Sequence, residues 1–321
     1  MGLKKHHIGL HLILALFVII SFALAACQQA TPSPVATSEV EDQTEVTVAT
    51  QPADAGIDPA TGPSIADENP LPADPIAMTF TARDGVELAG MFYPAATTTA
   101  PVIVLMHWAP GDQSDWRAIA AWLQNRDLQV ELGGVDQPWL DPSWFPVFAD
   151  EYSFNVFTFT FRGCEGGCTT FDREGWRLDV EAAMGEVVRM DNVDHSSVLT
   201  IGASIGADGA AYGCHTYNTQ LGGCQGAFSL SPGGYLGIPY DQEVANLKGD
   251  LVGRPAWCLY AEGDSVSAAA CLDASGLLYK AVDYPGSLHG MRLINPEQDP
   301  NPLELILDFI HDYLQCDICS L

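Results

Sequence analysis

Ser204, Asp264 and His289 are the residues whose types and places in the chain could carry a reaction. Ser204 stands in Gly202-Ala203-Ser204-Ile205-Gly206, after the apolar run Val198-Leu199-Thr200-Ile201 and before a small-residue stretch, Ala207 to Tyr217, that reads as a helix. A serine between strand and helix occupies a tight, strained turn, and glycines on both flanks let the two elements approach. Its hydroxyl then projects from the carboxyl edge of a sheet, where it can attack an acyl carbon. The plainer reading of the same residues is a tight turn with a capping serine.

A hydroxyl is a poor nucleophile near neutral pH and needs a base. The part of the chain that reads as folded has five histidines. His107 ends a strand before the serine and suits a loop-shaping role. His195 is expected in a polar turn at the wrong end of the sheet, His215 lies three turns along the helix after Ser204, and His311 falls in the last helix. His289, in Gly286-Ser287-Leu288-His289-Gly290, follows a strand and can swing over the sheet edge, so it is the expected base. A carboxylate must then orient the imidazole and stabilise its charged form. Asp264 follows the apolar strand Trp257 to Tyr260 at the right edge; Glu262 is its rival, and capping of the next helix its plainer role. Asp208 is expected against the first helical turn or a neighbouring loop. Ile205 opens the helix after the serine, and its free N–H is a natural donor to a developing oxyanion.

Strands and helical stretches alternate around these residues. Ile76 to Ala82 and Val86 to Tyr93 flank the turn Arg83-Asp84-Gly85, and Pro101 to Met106 is a short apolar strand of the kind buried in parallel sheets. Helices are expected over Asp115–Leu123, Arg173–Met190, Val266–Leu278 and Leu303–Leu314, with strands at Phe154–Phe161, Gly226–Leu230, Pro255–Tyr260 and Tyr279–Tyr284. That alternation implies an α/β fold, a mostly parallel central sheet with helices on both faces, whose ligands bind beyond the carboxyl ends of the strands. Residues 129–150, rich in Trp and Phe without regular spacing, form an aromatic insertion: a packed loop, or a lid or apolar wall. Ser231 to Pro239 reads as a Gly/Pro-rich turn. Gly222-Gly223 and Gly233-Gly234 are not phosphate loops, because no Lys-Ser/Thr follows them.

The folded domain is expected over residues 75–321. Residues 28–74 are rich in Pro, Thr, Ala and acidic residues without an aromatic and read as a disordered spacer. Before them, Lys4 and Lys5, the apolar Leu10 to Leu24 and the closing Leu24-Ala25-Ala26-Cys27 read as a processing signal, 1–26, too short for a span. The closing residues resemble the lipobox of bacterial lipoproteins, which implies lipid on Cys27 and an extracytoplasmic, membrane-anchored protein; a plain secretory peptide is the alternative. Apart from Cys27, the other eight of nine cysteines group by proximity as Cys164-Cys168, Cys214-Cys224, Cys258-Cys271 and Cys316-Cys319, in keeping with export. Redox chemistry at Cys316 and Cys319 is a weaker reading, and no histidine cluster accompanies any cysteine pair to suggest zinc. Lys and Arg number 13 against 41 Asp and Glu, a formal charge of −28, which excludes nucleic acid as a natural partner.

Residues 76–314 resemble the α/β-hydrolase superfamily, especially its dienelactone-hydrolase-like and serine-aminopeptidase-like members. The resemblance is carried by His107-Trp108-Ala109-Pro110-Gly111, Arg162-Gly163, Gly202-Ala203-Ser204-Ile205-Gly206, Gly263-Asp264 and His289-Gly290. It implies hydrolysis through an acyl-enzyme with no cofactor and no metal: Ser204 as nucleophile, Asp264 as acid, His289 as base. The oxyanion donors would be the N–H of Ile205 and that of Ala109 or Trp108. Relatives usually carry Gly where this chain has Trp108, so an indole there could narrow the acyl pocket or change the loop. The Cys164 and Cys168 loop is a second departure. The expected function is a serine hydrolase of small neutral or apolar esters. A peptidase of the same fold is the alternative within enzymes, and a non-catalytic surface-binding lipoprotein the alternative outside them.

Overall fold

Strand β3 (Ala100–Met106) is buried along its whole length. Successive side chains of a strand point to opposite faces, so Val102, Val104 and Met106 enter one core and Ile103 and Leu105 the other. A strand with two buried faces must lie inside a sheet covered on both sides. The computed structural model describes residues 72–126, 140–147, 152–247 and 253–314. Among them an eight-stranded sheet runs in the order β1-β2-β4-β3-β5-β6-β7-β8. The other strands are β1 (Ile76–Thr81), β2 (Glu87–Tyr93), β4 (Asn155–Phe159), β5 (Val193–Ala203), β6 (Cys224–Leu230), β7 (Ala256–Ala261) and β8 (Tyr279–Tyr284). β2 is antiparallel to β1 and β4; from β4 onward every neighbouring pair is parallel.

The helices divide between the faces. Helices α2 (Arg173–Val187), α3 (Ile205–Gln220), α4 (Tyr240–Asn246) and α5 (Ser265–Asp273) border the core containing Phe157, Phe159, Trp176, Tyr217 and Tyr240. Helices α1 (Arg117–Leu123) and α6 (Pro302–Tyr313) cover the other face with Ile119, Leu123, Ile306 and Phe309. Pro302 opens α6 at a position where its missing N–H costs nothing, and Asn301 caps it by accepting the Leu303 N–H. Phe309 then seats against Phe228 and Trp257 at 5.5 and 5.4 Å between ring centres. Truncating such a buried ring costs about 3–5 kcal/mol.

Several elements differ from expectation. Residues 240–246, for which the sequence suggested no element, form α4; its apolar positions Tyr240, Val244 and Leu247 span under two turns. α5 ends at Asp273, where Ala274 turns extended, and leaves Leu277 fully out in solvent. His195 is not in a turn: β5 starts two residues before it, and its ring meets the Tyr217 hydroxyl at 3.3 Å.

Disulfides join Cys164 to Cys168, Cys214 to Cys224 and Cys258 to Cys271; Cys316 and Cys319 lie outside the described residues. The signal segment with Cys27, and the spacer up to residue 71, also lie outside them. Pro72 to Asp74 are held by Arg126, which donates to the carbonyls of Pro72 and Ala73 and pairs with Asp74 at 3.2 Å. Of the aromatic insertion, 129–139 and 148–150 lie outside, while 140–147 packs on α1: Phe145 meets Trp122 edge-on at 5.5 Å, and the Trp122 indole donates to the Pro146 carbonyl.

Candidate active site

Because β3 to β8 are parallel, the loops that leave them gather at one edge. Their registers align Met106 with Gly202, Ala203 with Leu230 and Ala261 with Tyr284. His107, Ser204, Ser231, the Asp264 loop and the His289 loop therefore emerge together. Between β5 and α3 the backbone has no room for side chains. A Cβ on Gly202 would lie 1.8 Å from the Gly206 carbonyl oxygen, and one on Gly206 would lie 2.1 Å from that of Met106. Ser204 itself adopts φ 54° and ψ −115°, a conformation that strains a residue with a Cβ and costs of order 1–3 kcal/mol. Its N–H still bonds the Leu230 carbonyl, and its carbonyl starts the helix by accepting from Ala207.

Three residues singled out in the sequence meet here. The Ser204 Oγ lies 2.9 Å from His289 Nε2, and His289 Nδ1 lies 2.5 Å from Asp264 Oδ2. A carboxylate only accepts, so Nδ1 carries the proton and Nε2 is left to accept from the serine hydroxyl. Asp264 makes both contacts weighed for it: Oδ2 faces His289 while Oδ1 accepts the Ser267 N–H at the start of α5. Glu262 is exposed and stands outside this relay; its N–H bonds the Tyr284 carbonyl. The serine is nearly buried at 4% exposure, whereas the imidazole is about a third exposed, so the site opens on the histidine side.

The His289 turn is braced from below. Gly290 donates its N–H to Ser231 Oγ at 3.0 Å, and Gly263 donates to the Gly286 carbonyl at 2.7 Å. Trp108 is buried between the loop leaving β3 and this turn. Its indole N–H donates to Asp115 at 2.6 Å, its ring lies against Gly290, and Arg292 sits over its face. Its ring thus packs under the histidine turn. His107 is neutral, with burial pushing it down to about 4. Its Nδ1–H donates to the Trp108 carbonyl and its Nε2 accepts the Phe161 N–H, which ties the β3 and β4 exits together. Ala109, the other expected oxyanion donor, offers its carbonyl to the Cys168 N–H at 2.7 Å. His215 and His311 lie on α3 and α6; His311 packs on Tyr152. Among the described residues no group of three or more His, Cys, Asp or Glu gathers to hold a metal.

Ser231 and Tyr235 escaped the sequence reading. Ser231 could have been noticed as the first residue past an apolar strand at the same edge. Tyr235 follows the Gly-Gly pair, and its ring stands edge-on to His289 at 6.2 Å.

No protein-family model matches the chain. It is 29% identical over 137 residues to the uncharacterized protein YfhR of Escherichia coli K12, a match covering 43% of this chain and 40% of that one. The chain therefore spans well under half the length of the curated relatives it matches. Among solved structures it is similar to EstE1, a thermostable carboxylesterase cloned from a metagenomic library, with a TM-score of 0.53, 17% identity, and 78% of this chain and 92% of that one covered. It is also similar to a dienelactone hydrolase of Anabaena variabilis, with a TM-score of 0.52, 15% identity, and coverage of 76% of this chain and all of that one. With its mostly parallel eight-stranded sheet and helices on both faces, the chain has the α/β-hydrolase fold.

Proposed function

We propose that the protein is a serine hydrolase that cleaves carboxylic esters of small or medium neutral acyl groups through a covalent acyl-enzyme. What carries this function is the hydrogen-bonded series Ser204, His289, Asp264 at the strand ends, with the serine in a strained turn. As Ser204 Oγ bonds to the acyl carbon, its proton passes to His289 Nε2, and Asp264 stabilises the imidazolium. The carbonyl oxygen becomes an oxyanion, received by the N–H of Ile205 and that of Ala109 or Trp108. The C–O bond to the alcohol then breaks, and His289 returns the proton to the leaving oxygen. Water, deprotonated by the same histidine, attacks the acyl carbon; the acyl–Oγ bond breaks, His289 returns the proton to Ser204 Oγ and the carboxylic acid departs. The relay supplies all the proton transfers this sequence needs. Ester substrates are favoured because a carboxylesterase and a dienelactone hydrolase share the fold. In the same proposal lipid on Cys27 anchors the enzyme to a bacterial membrane on its extracytoplasmic side, and Cys27→Ala would lose that lipid.

The test is hydrolysis of p-nitrophenyl acetate and butyrate by residues 28–321, beside Ser204→Ala, with a fluorophosphonate probe of the serine. Turnover that falls about 10⁴-fold or more in Ser204→Ala, with labelling at Ser204, is the expected result. A folded protein that neither turns over nor labels would exclude the mechanism and favour a binding lipoprotein. Labelling without ester turnover would redirect the substrate search to amides and peptides.

A further inference from the structure

The Gly233-Gly234 run does hold an anion, and the anion belongs to the protein. Asp208 lies on α3 one turn past Ser204, and its own N–H bonds the Ser204 carbonyl at 3.3 Å. Its side chain is buried at 1% exposure and reaches away from its helix. Oδ1 accepts the N–H groups of Gly233 at 3.2 Å and Gly234 at 3.1 Å, and Oδ2 accepts that of Tyr235 at 2.5 Å. Three consecutive amides converging on one carboxylate make a backbone nest, a shape that binds anions. Gly234 turns it at φ 69°. Gly233 is required for what lies above it, because a Cβ there would stand 2.4 Å from the Tyr235 ring. The ring so folded faces His289 edge-on, at 6.2 Å and 86°. One chain of contacts thus runs from the serine through the Asp208 carboxylate and the 233–235 amides to the imidazole.

Among the described residues no cation pairs with that carboxylate. Its hydrogen-bond partners are backbone amides, and Glu243 on α4, itself buried, adds negative potential; Tyr235 and Tyr240 complete the titratable surroundings. Burial pushes Asp208 up to about 7 even against three N–H donors. A buried acid held so expensively is poor material for stabilising a fold, and its geometry suits positioning instead.

We propose that Asp208 is a positioning residue: by clamping the amides of Gly233, Gly234 and Tyr235 it fixes the Tyr235 ring against His289 and thereby sets the imidazole between Ser204 and Asp264. This rests on the hydrolase function proposed above. Asparagine cannot replace the carboxylate, because its one oxygen serves fewer amides and its NH₂ would face another N–H. Loosening the wall lets the imidazole drift, and a displacement near 1 Å costs roughly a hundredfold in rate.

The experiment compares wild type, Asp208→Asn, Tyr235→Ala and Ser204→Ala in the folded soluble protein. The readouts are thermal midpoint, kcat and KM for p-nitrophenyl acetate, and the rate of labelling by a small methylfluorophosphonate too short to sense an acyl pocket. The expected result for Asp208→Asn is a labelling rate and kcat down roughly ten- to hundredfold, with KM within about threefold. Tyr235→Ala, which leaves the amide clamp intact, should reproduce the fall in labelling per folded molecule, with a lower thermal midpoint because the ring also packs on the core. Wild-type labelling rates in a folded Asp208→Asn overturn the proposal. If Asp208→Asn does not fold, Tyr235→Ala decides: unchanged labelling overturns the proposal and slowed labelling upholds it. Ser204→Ala separates the two hypotheses, since loss of label there together with full rates in both other variants leaves the hydrolase standing and removes only the clamp.

Discussion

Two buried aspartates stand on neighbouring helices of the same face, and they are compensated in opposite ways. Asp179 on α2 is fully buried and meets a guanidinium: Arg162 Nε and Nη2 reach Oδ1 at 2.8 and 2.7 Å, and the Arg162 N–H donates to Oδ2. Arg162 leaves β4 and also pairs with Asp84 in the β1–β2 turn, so one cation ties hairpin, sheet and helix. Asp208 on α3 is equally buried and, among the described residues, accepts from backbone amides. Burial raises both above the usual carboxylate range; the Arg162 guanidinium pulls Asp179 back and backbone amides pull Asp208 back, while a neighbouring acid, Asp84 or Glu243, pushes each up. The compensated acid binds elements of the fold together. The one answered by amides lies one turn from Ser204, where the positioning role we propose would outweigh the cost of burying charge.

The largest effect comes from making the first region resemble the second. Arg162→Met removes the cation and leaves Asp179 buried and unpaired, which costs about 3–5 kcal/mol. Chemical denaturation should show that loss while phosphonate labelling per folded molecule stays near wild type. The variant should also become more pH-sensitive, losing stability as pH rises, because its lone carboxyl then prefers the protonated form. A labelling rate that collapses with Arg162→Met would mean that the division between a structural and a positioning acid is wrong.

The second effect is a pH dependence already present in the native chain. Asp208 and Glu243 are both pushed up to about 7 by burial, Asp208 from 3.8 and Glu243 from 4.5. Between the unfolded and folded values the native state holds protons that the unfolded chain has released. Stability from these groups is therefore full below about pH 4 and is lost as pH rises through about 7. At about 1.4 kcal/mol per unit, Asp208 alone could contribute a few kcal/mol to that slope. Arg177 opposes it at Glu243, and Tyr235 and Tyr240 stay neutral throughout. Asp208→Asn should flatten the fall in thermal midpoint between pH 5 and 8, and an unchanged slope would deny that Asp208 is charged at a cost.

What the sequence made legible follows the same division. β3 is an unbroken apolar run because both its faces are buried, and the serine turn announces itself because only glycine fits at 202 and 206. Asking which histidine leaves a strand at the right edge removes three of the five; His107 leaves one there too, and was set aside for His289 because it precedes the serine and suits a loop-shaping role. The clamp could not be read, because Asp208 is answered by backbone amides 25 to 27 residues away, and an amide has no sequence signature. Ser231 was hidden for a related reason: its partner is the Gly290 N–H. α4 is seven residues long, too short to show a period, and the end of α5 was marked only by Gly276, which the expected helix ran through. The indole of Trp108, weighed for the acyl pocket, packs under the histidine turn, because Asp115 seven residues on offers its indole N–H a half-buried acceptor.

The smallest effect tests whether the Asp179 region reaches the site at all. The loop that begins with Arg162 closes through the Cys164–Cys168 disulfide, and from it the Cys168 N–H reaches the Ala109 carbonyl while the Gly166 N–H reaches Asp112. These are the residues of the loop that carries the second proposed oxyanion donor. A ring of so few residues constrains the unfolded chain modestly, so replacing both cysteines by serine should cost about 2 kcal/mol by the loop-entropy relation. The backbone bonds to Ala109 and Asp112 remain available, held less firmly. Acylation should therefore slow by several-fold, far less than for Asp208→Asn, and KM should hold. A rate unchanged within error would confine the Arg162 side to structure alone. A fall as deep as that of Asp208→Asn would place the two regions on an equal footing at the serine, one steadying the oxyanion side and the other the base.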